Sequence, residues 1–218
     1  MSEPRSYLEI DTDAEIQKIM QMFKTLPDQI AAPTILKNAL NATARKVRKK
    51  IVKDAQGRYA LKDPGILRQA QKGAPEVVDA STSTMAATVR SKGPMQDIMA
   101  FMTKPNTDTG AAAAQVLKSG TMKPLEAGGL KAFVTTFSNG HVAIVQRNPP
   151  GQYSIGKGTR GARYGDGIDM TKIKKLLSPA VPHLLGNEEI RAAAEEMAYT
   201  TLQVELQKRI AKVLEKSA

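Results

Sequence analysis

The chain has 218 residues, 41% of them hydrophobic and 24% charged, which is the composition of a globular protein with room for one large domain or two small ones. It has no cysteine and only two histidines, so disulfides, cysteine-ligated metal centres and thiol nucleophiles are excluded, and a histidine-rich metal site is not expected. The 32 basic residues outnumber the 21 acidic ones, and the net charge of +11 favours an anionic partner: nucleic acid, an acidic protein surface or lipid headgroups.

Two helices are predicted before residue 60. The first covers residues 13–25, where apolar residues recur at helical spacing and Pro27 prevents continuation. The second covers residues 33–56 and ends at Gly57. Its apolar positions form the clearest periodic stripe in the sequence: Leu36, Leu40, Ala44, Val47 and Ile51.

The middle of the chain is predicted to be rich in short strands. The weaker signals predict a short helix over residues 63–73, a strand over 85–90, one or two helical turns over 95–102, and a strand or a helix over 112–118. The strongest signal is Asn139-Gly140 between two β-prone runs, which predicts a hairpin of strands 130–137 and 141–147.

The last third of the chain begins with a segment that has no hydrophobic pattern. Residues 148–167 interleave glycines with basic residues and predict a long mobile basic loop. The segment 168–177, to which the pattern assigns no element type, and a predicted helix over 188–216 follow, the helix with Asn187 as its cap.

The order of these elements predicts an α+β fold. It has a small antiparallel sheet, a long helix in the N-terminal half and a C-terminal helix. No linker separates two independently patterned halves, so we expect a single domain over residues 1–218. The N-terminal residues have no apolar stretch typical of a signal peptide, and no run approaches the ~18 apolar residues of a membrane span. We therefore expect no membrane partner.

The glycine-rich loop contains two near-matches to nucleotide-binding motifs. Gly151 to Lys157 approaches the phosphate-binding loop, but Gly158 stands where a hydroxyl residue should ligate magnesium. Gly156 to Gly161 spells G-x-G-x-x-G, but no helix-forming pattern follows it. A flexible basic loop is the preferred interpretation, and an enzyme that binds a nucleotide there is an alternative.

Catalytic candidates are few. His141 directly follows the hairpin turn and His183 lies between Pro182 and Leu184, positions typical of structural histidines rather than of a catalytic triad. No spacing singles out a pair of carboxylates among the acidic residues. The sequence therefore predicts a protein that is not an enzyme and has no cofactor and no metal site.

Two basic clusters are the candidate binding residues. Residues 45–62 contain eight basic side chains and one acid, Asp54, and the second cluster lies within residues 157–175. Dense positive charge on a helix and a loop favours sequence-independent contact with phosphates, and a solvated helix face is the alternative. The residues selected for anion or DNA contact are Arg45, Arg48, Lys49, Lys53, Arg160 and Arg163.

Several short motifs, spread in order over most of the chain, resemble one known family. The motifs are Ala39-Leu40-Asn41-Ala42-Thr43-Ala44-Arg45, Ala132-Phe133, Ser138-Asn139-Gly140-His141-Val142, Val145-Gln146-Arg147 and Leu177-Ser178-Pro179-Ala180-Val181-Pro182. Together they resemble the minor tail protein Z family of long-tailed bacteriophages and prophages, also described as tail completion proteins. The chain departs from the family pattern where Gly167 replaces a proline, and where Ser178 and Ala180 replace the glycine and serine of a "GPS" segment.

The resemblance implies a structural virion protein that acts late in tail assembly. Its place would be the head-proximal end of the tail, where head and tail join and DNA passes, and it would be in the host cytoplasm during assembly. The implied fold is the α+β domain of tail-terminator and head–tail connector proteins, and the implied partners are further copies of the chain in a ring, other tail and neck proteins, and the genomic DNA. The 148–167 loop would then contact a neighbouring subunit. The alternative function is a cytoplasmic protein that binds nucleic acid independently of sequence.

Overall fold

The structure is a computed structural model that describes residues 5–9, 32–105, 111–127, 129–147 and 173–217. The predicted helix over 13–25 and the predicted loop over 148–167 lie outside the described residues, as does the first part of the segment 168–177.

The described elements form an α+β fold, as the sequence predicts. The helices are α1 (Ala32–Arg58), α2 (Val181–Leu185) and α3 (Glu188–Ser217), and short 3-10 helices cover Pro64–Arg68, Ala70–Lys72 and Ile98–Ala100. The strands are β1 (Arg5–Glu9), β2 (Glu76–Val78), β3 (Thr88–Lys92), β4 (Gln96–Asp97), β5 (Met102–Lys104), β6 (Ala113–Gln115), β7 (Lys123–Pro124), β8 (Glu126–Ala127), β9 (Leu130–Thr136), β10 (Val142–Arg147), β11 (Ile173–Lys175) and β12 (Leu177–Ser178).

The strongest local signals predicted their elements well. Helices α1 and α3 and the hairpin of β9 and β10 are confirmed within two residues of the predicted bounds. The weaker segments are shorter than predicted: the helix over 63–73 is a pair of 3-10 helices, and the helical turns over 95–102 reduce to one 3-10 turn. The strands form four small antiparallel groups rather than one sheet.

The described chain divides into two compact units, each assembled from separated segments. Unit 1 contains residues 1–57, 65–94 and 180–218, and unit 2 contains residues 58–64 and 95–179. The chain therefore passes from unit 1 to unit 2 and back again twice.

Unit 1 combines the helices with a sheet in which β3 pairs with both β1 and β2. The apolar stripe of α1 is buried, as its spacing predicts. Helix α3 buries a similar stripe at four-residue spacing: Ile190, Ala194, Ala198, Leu202 and Leu206. Among the described residues, no helix is long and apolar enough to cross a lipid bilayer.

Unit 2 is built on the hairpin of β9 and β10. The strands pair in register from Val142 opposite Thr136 to Gln146 opposite Ala132, and the sheet has the order β11-β10-β9-β8. Strand β10 is buried from Ala143 to Gln146, on both of its faces, which makes it the central strand of this unit. The Phe101 ring is fully buried and meets the Tyr59 ring edge to face, with 6.5 Å between their centroids.

Candidate anion-binding cleft

Unit 1 contains a cleft of about 1070 Å³ between the C-terminal half of α1 and the segment that runs from the first 3-10 helix to β3. Six of its lining residues are basic, and we refer to them as the cleft cations: Arg48, Lys49, Lys53, Arg68, Arg90 and Lys92. Glu76 is the one acidic residue among the described residues of the lining. The cleft is therefore strongly positive.

Helix α1 supplies the first wall of the cleft through its periodicity. Arg48, Val52 and Gln56 follow each other at four-residue intervals, and Lys49 and Lys53 form the adjacent row, so all five share one face. Val52 is buried and anchors that face, whereas the three cations are exposed to solvent. The wall thus presents charge above an apolar base.

The opposite wall depends on a close approach of two backbone segments. A side-chain Cβ placed on Gly93 would lie 2.7 Å from the Gly73 Cα, so the position requires glycine. Gly73 itself has φ +98°, in the left-handed region that glycine adopts without strain. The Ser91 hydroxyl donates to the Gly73 carbonyl oxygen at 2.5 Å. These contacts fix the end of β3, with Lys92, against the 3-10 helices.

Two of the cleft cations, Arg68 and Arg90, contact other side chains of the lining. Arg68 Nη2 donates to Gln56 Oε1 at 3.4 Å, which links the two walls. Arg90 forms an ion pair with Glu76, which lies directly opposite it in the antiparallel register of β2 and β3. Both members of this ion pair are more than half exposed, and exposed pairs of this kind contribute little to stability.

Three other cations of α1 have acidic partners, and we refer to them as the paired cations: Arg45, Lys46 and Lys50. Arg45 Nη2 lies 2.6 Å from Asp79 Oδ2, Lys46 Nζ lies 2.7 Å from Glu205 Oε1, and Lys50 pairs with Asp54 one turn along the helix. By contrast, Arg48, Lys49 and Lys53 have no acidic partner among the residues that the structure describes.

Glu205 is a buried carboxylate between two cations. The hydrogen bond from Lys46 lowers the pKa of Glu205 below its ordinary value, and Arg209, whose Nη2 lies 3.1 Å from Glu205 Oε2, acts in the same direction against the opposing effect of burial. Lys46 therefore joins α1 to α3 and has a structural role.

The chemistry available in the cleft is that of anion binding. Arginine and lysine donors on an apolar base of Val52, Leu67 and Pro75 suit phosphate or carboxylate oxygens. Among the described residues, no aromatic side chain lines the cleft, so these residues provide no platform for base stacking. In the part of the chain that the structure describes, no group of three or more histidine, aspartate or glutamate side chains is arranged to hold a metal ion.

The predicted contact residues divide into three groups. Arg48, Lys49 and Lys53 lie together in the cleft. Arg45 is on the same helix but pairs with Asp79 and does not line the cleft, and Arg160 and Arg163 lie outside the described residues.

Sequence reasoning missed the three cations of the opposite wall. Arg68, Arg90 and Lys92 come from short segments without a dense basic run. One signal was present: Arg90 and Lys92 alternate with the buried residues Val89 and Ser91, which places both on the exposed face of β3.

A second polar cluster lies in unit 2, at the turn of the β9–β10 hairpin. Lys175 Nζ lies 2.7 Å from Asp97 Oδ2 and 3.1 Å from His141 Nε2, and the His141 ring stacks on Phe137. Because an ammonium group only donates, it places the proton of a neutral His141 ring on Nδ1. The cluster ties three strand ends together, which is a structural role of the kind predicted for His141.

Comparison of the chain with protein-family models, with curated proteins and with solved structures found no significant match.

Proposed function

We propose that the chain is a structural protein of bacteriophage tail completion, without enzymatic activity, that acts at the head-proximal end of the tail. The observation that carries this proposal is the ordered series of motifs that resembles the minor tail protein Z family. The α+β architecture is compatible with the fold that this resemblance implies.

The motif on the long helix gains support from the contacts of its residues. Ala39, Leu40 and Ala44 are buried in unit 1. The Asn41 amide is clamped to Ala80: its Oδ1 accepts from the Ala80 N–H at 2.6 Å, and its Nδ2 donates to the Ala80 carbonyl at 3.2 Å. Four residues of the motif therefore position the helix within unit 1, which supports the resemblance on this helix.

The motifs of the hairpin also have structural roles. The Arg147 guanidinium lies 5.4 Å from the centroid of the Phe133 ring, so two motif residues from β10 and β9 contact each other. Gln146 is buried and donates to the Leu130 carbonyl at 2.6 Å. Asn139 Oδ1 accepts from the backbone N–H of His141 and closes the turn.

The proposed assembly is a ring of identical subunits that contacts other tail and neck proteins and surrounds the path of the genomic DNA. A ring repeats the positive cleft of each subunit by symmetry, and the net charge of +11 per chain then accumulates along an acidic partner.

The test of the tail function uses the phage or prophage that encodes the chain. Deletion of its gene should leave filled heads and tails that do not join, and a copy supplied in trans should restore infectious particles. A peptide tag on the restored copy should be labelled at the head–tail junction in electron micrographs. Complete, infectious particles that lack the chain would overturn the proposal.

A second candidate function is favoured by the cleft itself: sequence-independent binding of nucleic acid by the free chain. Six basic residues around one cleft form an electrostatic site for phosphates. Salt titration of the isolated protein tests it, because each phosphate that is neutralised contributes about −0.9 to the slope of log K against log salt. Absence of binding to duplex DNA at about 50 mM salt would remove this candidate and leave the tail function unaffected.

A further inference from the structure

We propose that the cleft between α1 and β3 binds a run of consecutive backbone phosphates of nucleic acid, with Glu76 as an internal competitor for Arg90. This inference deepens the second candidate function and rests on it: it names the surface and the ligand chemistry.

The first argument is that the cleft cations of α1 are left without acidic partners among the described residues, whereas three cations interspersed with them are paired. Arg45, Lys46 and Lys50 each have a carboxylate partner, whereas Arg48, Lys49 and Lys53, within the same two turns, have none among the described residues. Like charges held close together oppose folding. An anionic ligand between the walls removes that repulsion, so the arrangement favours the bound state.

The second argument is that the cations come from three separate segments and face a shared volume. Helix α1 provides three of them, the first 3-10 helix provides Arg68, and β3 provides Arg90 and Lys92. The cleft of about 1070 Å³ is much larger than a single phosphate group. A polymer with charges at regular intervals can place several phosphates against both walls at once.

The third argument concerns what the cleft does not offer. The described part of its lining has six cations, an apolar base and no aromatic ring, so these residues suit contact with phosphates rather than stacking on bases. The expected binding is therefore strong in low salt, weak in high salt and indifferent to sequence.

Glu76 provides the most specific prediction of the proposal. It is the one acid among the described residues of the lining, and it pairs with Arg90 across the β2–β3 ladder. A phosphate that binds Arg90 must compete with this carboxylate and is repelled by it. Removal of the Glu76 charge should therefore tighten binding, a gain that partial unfolding cannot imitate.

The experiment titrates a fluorescent 20-base-pair duplex of mixed sequence with the full chain and follows anisotropy between about 50 and 200 mM salt. The cleft variant is Arg48→Gln with Lys53→Gln. Its matched control is Arg45→Gln with Lys50→Gln, which removes the same charge from the same helix outside the cleft. The third variant is Glu76→Gln, and thermal unfolding verifies that each variant is folded.

The cleft variant should weaken binding by about tenfold or more at low salt and reduce the salt slope by about two, because two phosphate contacts are lost. The matched control should weaken it by less than about threefold, and Glu76→Gln should tighten it severalfold. Equal losses in the cleft variant and the control, with the unmodified chain still binding, would overturn the cleft proposal and leave nucleic-acid binding in place. No binding by the unmodified chain would overturn both.

Competition with inorganic tripolyphosphate distinguishes a site for the nucleic-acid backbone from a site for small polyphosphates. It should displace the duplex only at a much higher phosphate concentration, because each molecule offers three phosphates to the six cleft cations. If tripolyphosphate binds as tightly as the duplex, and the cleft variant loses both ligands alike, the site is one for small polyphosphates and the nucleic-acid inference is overturned.

Discussion

Helix α1 carries two sets of basic residues that are alike in sequence and different in their surroundings. The paired cations meet Asp79, Glu205 and Asp54, and the cleft cations of the same helix face an open volume. Both sets are interspersed between residues 45 and 53, so density of charge alone does not separate them. The comparison shows that the partner of a charge decides whether it supports the fold or remains available to a ligand.

The largest effect is expected at Gly93, which positions the wall that faces the cleft cations of α1. Gly93→Ala should lower the free energy of unfolding by about 2–3 kcal/mol, because the new methyl group would lie 2.7 Å from the Gly73 Cα and the backbone must shift. Urea denaturation measures the change. Gly57→Ala is the control: no atom lies within 4 Å of its Cβ position, and alanine in a helix is expected to stabilise. Equal stability of the two variants would show that the close approach does not hold the wall.

The next effect tests the paired cation whose carboxylate partner is the most buried of the three. Lys46→Met should cost about 1–2 kcal/mol, because it keeps the aliphatic stem but leaves the Glu205 carboxylate buried with Arg209 alone. Lys49→Met, on the same helix, should cost nothing measurable. A double-mutant cycle with Glu205→Gln should give a positive coupling energy for Lys46 and Glu205. Purely additive effects would mean that the contact does not stabilise the fold.

Lowering the pH should remove the stabilisation that the ionised Glu205 provides. Folding lowers the pKa of Glu205, so its stabilising effect is complete above the ordinary glutamate value of about 4.3 and is lost as the pH falls through the lower folded value. The difference in unfolding free energy between the unmodified chain and Glu205→Gln should shrink below about pH 4. A difference that stays constant down to pH 3 would contradict the assignment.

The smallest expected changes in stability differ in sign between the paired cations and the cleft cations. Arg45→Ala should lower stability by less than about 1 kcal/mol, because the Arg45–Asp79 pair is about half exposed. Arg48→Ala should leave stability unchanged or raise it slightly, since it relieves repulsion. Thermal unfolding of the two variants at low and high salt tests this, and a larger loss for Arg48→Ala would reverse the assignment of the two sets.

Local sequence patterns predicted the long helices and the hairpin. The ion-pair partners of the basic side chains, by contrast, depend on contacts between residues that are far apart in the sequence. The stripe of α1 and the Asn139-Gly140 turn act within a few residues, so both are visible in the sequence. Arg45 meets an acid 34 residues away and Lys46 one 159 residues away, and only the folded chain selects these pairs. Lys50 and Asp54 are four apart, so their pairing was the one that helical spacing could have predicted.

Unit 1 is assembled from segments that are far apart in the sequence, and this affects the order in which they are synthesised. Unit 1 takes its last segment from residues 180–218, and the partner of Lys46 is Glu205 within that segment. On the ribosome, α1 emerges well before this segment, and at ordinary elongation speeds the delay is on the order of ten seconds or more. During that interval Lys46 lacks its carboxylate partner and unit 1 lacks its last segment, so unit 1 is completed only when translation of the chain is nearly finished.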